Sequence, residues 1–325
     1  MSHEDDRSKR RLRKTRKRLL SLIPFMRRGR HERILARMRR HFDSMQKYID
    51  RERDMKLRLA ALFLAPPPPA TSASCTVRVP FKSTPTDELC LFVTHAPSAA
   101  LKPHVVDHMN ALMDLGVAVV LIANTDCELT SLDVPPELAV RLHGCLVRQN
   151  LGFDFAAWAH AYLLLDATTI RRRLYLVNDS IIGPLDRADY DALIARVRMA
   201  DADLVGLTAN PDPQPHLQSF FLVFNERLLH SPICHGFFER IVNMPEKQDV
   251  IDCYEVWLTS FLQQRGFRWT AIFPSLSKLT HHRRNDTVHA WRGLLEAGFP
   301  FIKSMVVRDP LEGAEARALL PDRYL

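Results

Sequence analysis

The 325 residues carry 45 Lys and Arg against 37 Asp and Glu, a formal net charge of +8, and 46% are hydrophobic. That is the composition of a globular protein able to bury a core. Six scattered cysteines (Cys75, Cys90, Cys127, Cys145, Cys234 and Cys253) form no C-x-x-C pair, which argues against a zinc knuckle or a disulfide framework and for a reducing compartment.

The charge is uneven along the chain. Residues 1–60 hold 21 Lys and Arg against 8 Asp and Glu, which is +13 and leaves −5 for the rest. Within residues 7–64, Ile34, Leu35, Met38, Phe42, Met45 and Ile49 recur at helical spacing among basic side chains, so 1–64 is expected to be a basic amphipathic helical arm. The apolar run 19–26 is broken by Ser21 and Pro24. It is too short to span a bilayer and lacks a cleavage pattern, so a cytoplasmic protein is expected. Pro66 to Pro69 with Thr71, Ser72 and Ser74 predicts a semi-rigid linker over 65–80, followed by the main domain over 81–325.

In that domain, apolar runs predict strands over 89–93, 117–123, 174–177, 204–207 and 220–224. Helical stretches fall at 103–115, 155–165, 190–199 and 233–243. Continuous apolar strands alternating with helices predict an α/β fold, a mostly parallel sheet flanked by helices. Such sheets bind ligands at the carboxyl ends of their strands. The polar residues placed there are Thr94-His95, Asn124-Thr125-Asp126, Asn178-Asp179-Ser180 and the loop 208–219. Dinucleotide, P-loop, zincin and serine-hydrolase motifs are absent.

Three segments could carry chemistry. In 150–158, Asp154 is expected to cap a helix, leaving free N–H groups, with Asn150 and Gly152, near a nucleotide or phosphate. Asp179 follows an apolar strand, where a carboxylate could hold Mg²⁺ or Mn²⁺; the plainer alternative is a turn cap. Glu255 is expected in the first turns of a helix from residue 252, where the dipole would keep a general base ionised; acidic residues also occur there for stability alone. His216 and Gln218, in a proline-stiffened loop, could form a wall for an acceptor. Arg283, Arg284 and Lys303 could assist phosphate charge. His281-His282 lacks nearby carboxylates and is left out of a metal site.

Taken together, these segments resemble the rhamnan synthesis protein F family, in order from about residue 89 to 310. Residues 148–158 (RQNLGFDFAAW) are similar to its N-x-G-x-D-F-G-A-W stretch, 178–184 (NDSIIGP) to N-D-S-x-x-G-P, and 203–208 (DLVGLT) to D-x-W-G-L-T. Residues 216–224, 254–259 and 291–303 continue the series. Ala156 stands where the family has Gly, and Val205 where it usually has Trp. The resemblance implies a GT-A-like glycosyltransferase of cell-surface polysaccharide synthesis. It would move rhamnose or another deoxy sugar from a nucleotide-sugar donor to a polysaccharide or lipid-linked glycan, by a single inverting displacement with Glu255 as base. It further implies His95, Asn124, Asn150, Gly152, Asp154, Asn178 and Ser180 as donor residues, His216 and Gln218 as acceptor residues, and Asp179 at a divalent cation. The N-D-S stretch has one carboxylate where GT-A enzymes carry the two of D-x-D.

The arm is expected to attach the enzyme to the anionic inner face of the plasma membrane. A nucleic-acid partner is disfavoured, because the arm lacks aromatic interleaving and any recognisable binding motif. A transferase-fold scaffold without turnover is the other alternative.

Overall fold

The computed structural model describes residues 64–275 and 285–324, with parts of 39–62. The chain divides into two units, Met1–Leu64 and Ala65–Leu325. In the first, residues 52–58 are helical, and Lys56 pairs with Glu52 (2.7 Å) and Arg58 with Asp54 (3.1 Å) across one turn. Most of the expected basic arm lies outside the described residues, as do His281, His282, Arg283 and Arg284. Among the described residues no helix is long and apolar enough to cross a membrane.

In the second unit the strands are β1 (Cys75–Val79), β2 (Thr86–His95), β3 (Ala118–Thr125), β4 (Gly144–Gln149), β5 (Ile170–Asn178) and β6 (Ile181–Ile182). They continue with β7 (Leu204–Gly206), β8 (Ala209–Asn210), β9 (His216–Leu217), β10 (Phe221–Asn225), β11 (Trp269–Ala271) and β12 (Ile302–Lys303). Eight of them form one sheet in the order β1-β4-β3-β2-β5-β10-β7-β11. The central β4-β3-β2-β5 run is parallel, as is the β7-β11 pair, whereas β1 and β10 run antiparallel to their neighbours. The fold is therefore α/β with a mostly parallel sheet, as the apolar runs predict.

Those runs are buried because helices cover the sheet. The helices Pro103–Asp114 and Arg187–Met199 pack Val105, Met109, Leu112, Tyr190, Leu193 and Val197 into one core with Phe92, Leu121 and Val177 of the strands. The helix Phe153–Leu164 lies against β2 and β3, and its fully buried Trp158 donates from Nε1 to the Leu91 carbonyl at 3.0 Å.

The expected linker over 65–80 belongs to this unit. The Asn243 N–H donates to the Pro68 carbonyl (2.8 Å) and Asn243 Nδ2 to the Pro69 carbonyl (2.7 Å), while β1 forms the sheet edge by pairing with β4. Proline removes a backbone donor but leaves its carbonyl free, so a proline run can dock as an acceptor strip.

From β2 the chain builds outward through β3 and β4, then returns to place β5 on the other side of β2. This reversal of strand order lies between β2 and β5, whose carboxyl ends are the usual ligand position in open α/β sheets. The amino ends carry a different arrangement. Glu88, buried there, takes Arg173 and Arg198 (both 2.7 Å) and the Tyr175 hydroxyl (3.1 Å). The adjacent cavity of about 500 Å³ is lined by Asp87, Glu88, Gly116, Arg172, Arg173 and Arg198, far along the strands from their carboxyl ends.

Candidate active site

Asp179 sits in the turn that follows β5, beside the end of β2. Its Oδ2 accepts from Thr94 Oγ1 (2.6 Å), from the His95 N–H (3.2 Å) and from Lys102 Nζ (2.5 Å). Lys102 is the residue preceding the helix Pro103–Asp114, so the first strand-to-helix connection delivers an ammonium group to the Asp179 carboxylate. Asn178 holds the turn: its Oδ1 accepts the Ser180 N–H (3.1 Å), and its Nδ2 donates to Asp154 Oδ2 (2.8 Å).

Asp154 does not cap its helix. The cap position is Gly152, with φ +71°, and Phe153 has φ 57°, which turns Asp154 toward Asn178. A side chain at Gly152 would lie 2.5 Å from Ala156 Cβ and 2.7 Å from Asn243 Cα, so both the left-handed backbone and the close packing demand glycine there. Withdrawal from water, and then the charge of Asp179, push the Asp154 carboxyl up to about 6. Asp154 is thus a second carboxylate beside the N-D-S turn, supplied from another segment.

The helix carrying Glu255 starts earlier than expected. Lys247–Val250 runs into a π-helical turn, Ile251–Glu255, and then into Val256–Gln263. Glu255 is therefore mid-helix, and its ionisation owes nothing to a helix start. Its Oε2 accepts the Ser219 N–H at 3.0 Å and the Ser219 hydroxyl, and its Oε1 lies 3.8 Å from His216 Nε2. Burial opposes its charge, but His216, Lys303 and Ser219 together outweigh burial and hold the carboxyl below its ordinary range. Lys303 arrives through the short β6–β12 ladder, secured by the Ser304 N–H on the Ser180 carbonyl (2.8 Å). Burial lowers the Lys303 pKa against the opposing pull of Glu255 and Asp154.

The other expected residues divide by exposure. His95 Nε2 lies 2.9 Å from Asp126 Oδ2, and Asn150 Nδ2 donates to both Asp126 oxygens (3.1 and 3.2 Å), on the open rim. These bonds, His95 foremost, keep the Asp126 carboxyl below its usual range. Asn124 is buried and spends its amide internally, accepting from Arg148 Nη1 (3.1 Å) and donating to the Phe153 carbonyl (3.4 Å). Gln218 is likewise buried, its Oε1 taken by Thr208 (2.8 Å) and Thr287 (3.4 Å). Each side chain supports its neighbours. His216 is also buried, with Nδ1 on the Gln214 carbonyl (2.7 Å) and Nε2 toward Glu255.

Sequence reasoning missed Lys102, Ser219 and Arg148. Arg148 is fully buried, and its guanidinium donates to Asn124 Oδ1, the Leu151 carbonyl, the Ala70 carbonyl and Asn243 Oδ1. All four acceptors are neutral, and burial pulls its pKa down to about 10. The available signals were positional: Lys102 immediately precedes a helix-starting proline after β2, and Arg148 interrupts an apolar run.

Asp179 Oδ2 already faces an ammonium group, and no three His, Cys, Asp or Glu gather in ligand geometry among the described residues.

The family model described as rhamnan synthesis protein F matches residues 119–322. The chain belongs to the rhamnan synthesis protein F family. That membership supports a role in polysaccharide synthesis. The matched span begins in β3 and includes Arg148, Asp154, Asp179, Glu255 and Lys303. Virulence protein VirA of Vibrio anguillarum is 28% identical over 193 residues, covering 50% of this chain and 61% of the relative. Uncharacterized protein y4gN of Sinorhizobium fredii is 29% identical over 167 residues, covering 50% of this chain and 42% of the relative. The chain thus spans about half the length of the curated relatives it matches.

Proposed function

We propose that the protein is a glycosyltransferase that moves a sugar, rhamnose or a related deoxy sugar, from a nucleotide-sugar donor to a surface-glycan acceptor. The observation that carries this reading is the ionised carboxylate of Glu255, held by Ser219 and faced by His216, in a site that also contains Asp154, Asp179 and Lys303. A carboxylate kept unprotonated and fixed by hydrogen bonds suits proton abstraction from an acceptor hydroxyl.

In this mechanism Glu255 takes the hydroxyl proton as the acceptor oxygen attacks the anomeric carbon. The bond from that carbon to the diphosphate oxygen breaks, and the nucleoside diphosphate leaves with the electron pair. Lysine ammonium groups at the site balance the charge that develops on the departing oxygen. Asn178 keeps Asp154 and the 178–180 turn in register. Membership of the rhamnan synthesis protein F family supports the assignment of reaction class. Release of nucleoside diphosphate, measured over a panel of nucleotide sugars with a glycan acceptor, tests it. Acceptor-dependent release from one donor is expected; binding of donors with no release in any combination supports a non-catalytic scaffold instead.

The basic arm suits attachment to an anionic membrane, where a lipid-linked acceptor would be presented. Each basic residue near such a surface contributes about 1 kcal/mol, so a fraction of the +13 excess over residues 1–60 suffices. Co-sedimentation with phosphatidylglycerol vesicles checks this. The full chain is expected to bind and to be released by salt, whereas a chain beginning at residue 65 stays in solution. Equal binding by both would refute the assignment.

A further inference from the structure

We propose that the donor diphosphate is received by Lys102, and that Asp179 serves to aim Lys102 rather than to hold a divalent cation. This rests on the glycosyltransferase reading and assigns the charge partner within that same site.

The geometry around Asp179 carries the argument. One carboxylate oxygen, Oδ2, receives the Thr94 hydroxyl, the His95 N–H and the Lys102 ammonium group within 3.2 Å. A hard cation needs oxygen lone pairs directed at it, and here a positive charge already stands at that oxygen, 2.5 Å away. The Thr94 and His95 donors come from the end of β2, so the position of Oδ2 is fixed by the sheet. Lys102 is in turn fixed by Oδ2. An ammonium group carries three hydrogens, and the bond to Asp179 uses one of them. Lys102 keeps about a third of its side chain exposed at 32%, while Asp179 keeps 16%. The lysine is therefore held by Asp179 yet still partly open to solvent, at the carboxyl ends of the strands where the strand order reverses.

Ammonium groups are compact point charges able to serve phosphate oxygens, the role a metal would otherwise fill.

Calorimetric titration of the full-length protein with UDP, GDP and dTDP, in EDTA and in Mg²⁺ or Mn²⁺, tests the assignment. One nucleotide is expected to bind in EDTA with an affinity within about threefold of that with cation. Lys102→Met should weaken that binding by about tenfold or more, and Lys102→Arg should restore part of it. Thermal melting of both variants checks that they fold; if Lys102→Met does not, wild-type binding in EDTA and the Lys102→Arg titration still decide. Binding that requires a divalent cation and disappears in Asp179→Asn would overturn the lysine assignment while leaving the transferase reading in place. Absence of binding by every nucleotide with and without cation would remove both.

Discussion

Replacing Arg148 by Met removes a buried charge that has no carboxylate beside it, and the outcome depends on which of two opposed effects is larger. Its guanidinium makes bonds of 3.1 Å to Asn124, 2.8 Å to Leu151, 3.3 Å to Ala70 and 3.1 Å to Asn243. A hydrogen bond from a charged donor contributes about 1.5–3 kcal/mol, so four offer roughly 6 kcal/mol at the low end. Withdrawing the guanidinium from water costs several kcal/mol, which leaves a net loss on substitution of about 3 kcal/mol. For a unit of about 260 residues, unfolding entropy near 2.1 cal/mol/K per residue converts this into a fall of about 5–6 °C in Tm. Differential scanning calorimetry of wild type and Arg148→Met at one pH measures it. Because Leu151 and, through Asn124, Phe153 also lose their fixture, nucleotide binding should weaken in parallel. A Tm within about 1 °C of wild type would refute the reasoning, since desolvation would then cancel the bonds entirely.

Glu255→Gln keeps an oxygen for the Ser219 donors but removes the base, so donor binding should stay within about threefold while turnover falls about 100-fold or more, as single-turnover and titration measurements would reveal. His108 gives a pH prediction. Buried among Phe92, Tyr190 and Phe301, its imidazole is pushed by burial from 6.5 down to about 3. The unfolded chain therefore binds a proton that the folded chain refuses, and stability present above pH 6.5 is lost as pH falls toward 3. At pH 5 the loss from this group is about 2 kcal/mol. Urea unfolding of wild type and His108→Phe across pH 5–7.5 should show a shallower slope for the variant, and parallel slopes would contradict the assignment.

Much of this site was legible because its carboxylates follow simple sequence rules. Asp179 ends an apolar strand, and Asp154 follows a glycine turn, so residue type and position point to both. The strands β2, β3, β5, β7 and β10 were legible as apolar runs for the same reason. Three features were not. β1 is a short edge strand hidden behind prolines, and β4 carries a buried arginine that breaks its apolar signal. The π-helical turn at Ile251–Glu255 shifts Glu255 away from a helix start, and no periodicity in the sequence marks it. The burial of Asn124 and Gln218 could not be read from the sequence, because polar residues after strands can face inward as well as toward solvent. Exposure, which decides between the two, is a property of the packed chain.

The β6–β12 ladder imposes an order on the making of this site. The last strand of the large sheet ends at Ala271, and by then the chain already holds Asp154, Asp179, Glu255, Lys102 and Lys247. Lys303 enters only when Ile302 and Lys303 zip onto Ile181 and Ile182. Since chains emerge from the ribosome amino end first, the sheet can be complete while the charge balance around Glu255 is not. A message truncated shortly after codon 271 would encode every strand of the large sheet and the three carboxylates, yet leave the core without Phe299 and Phe301 and Glu255 without the lysine that helps to keep it ionised.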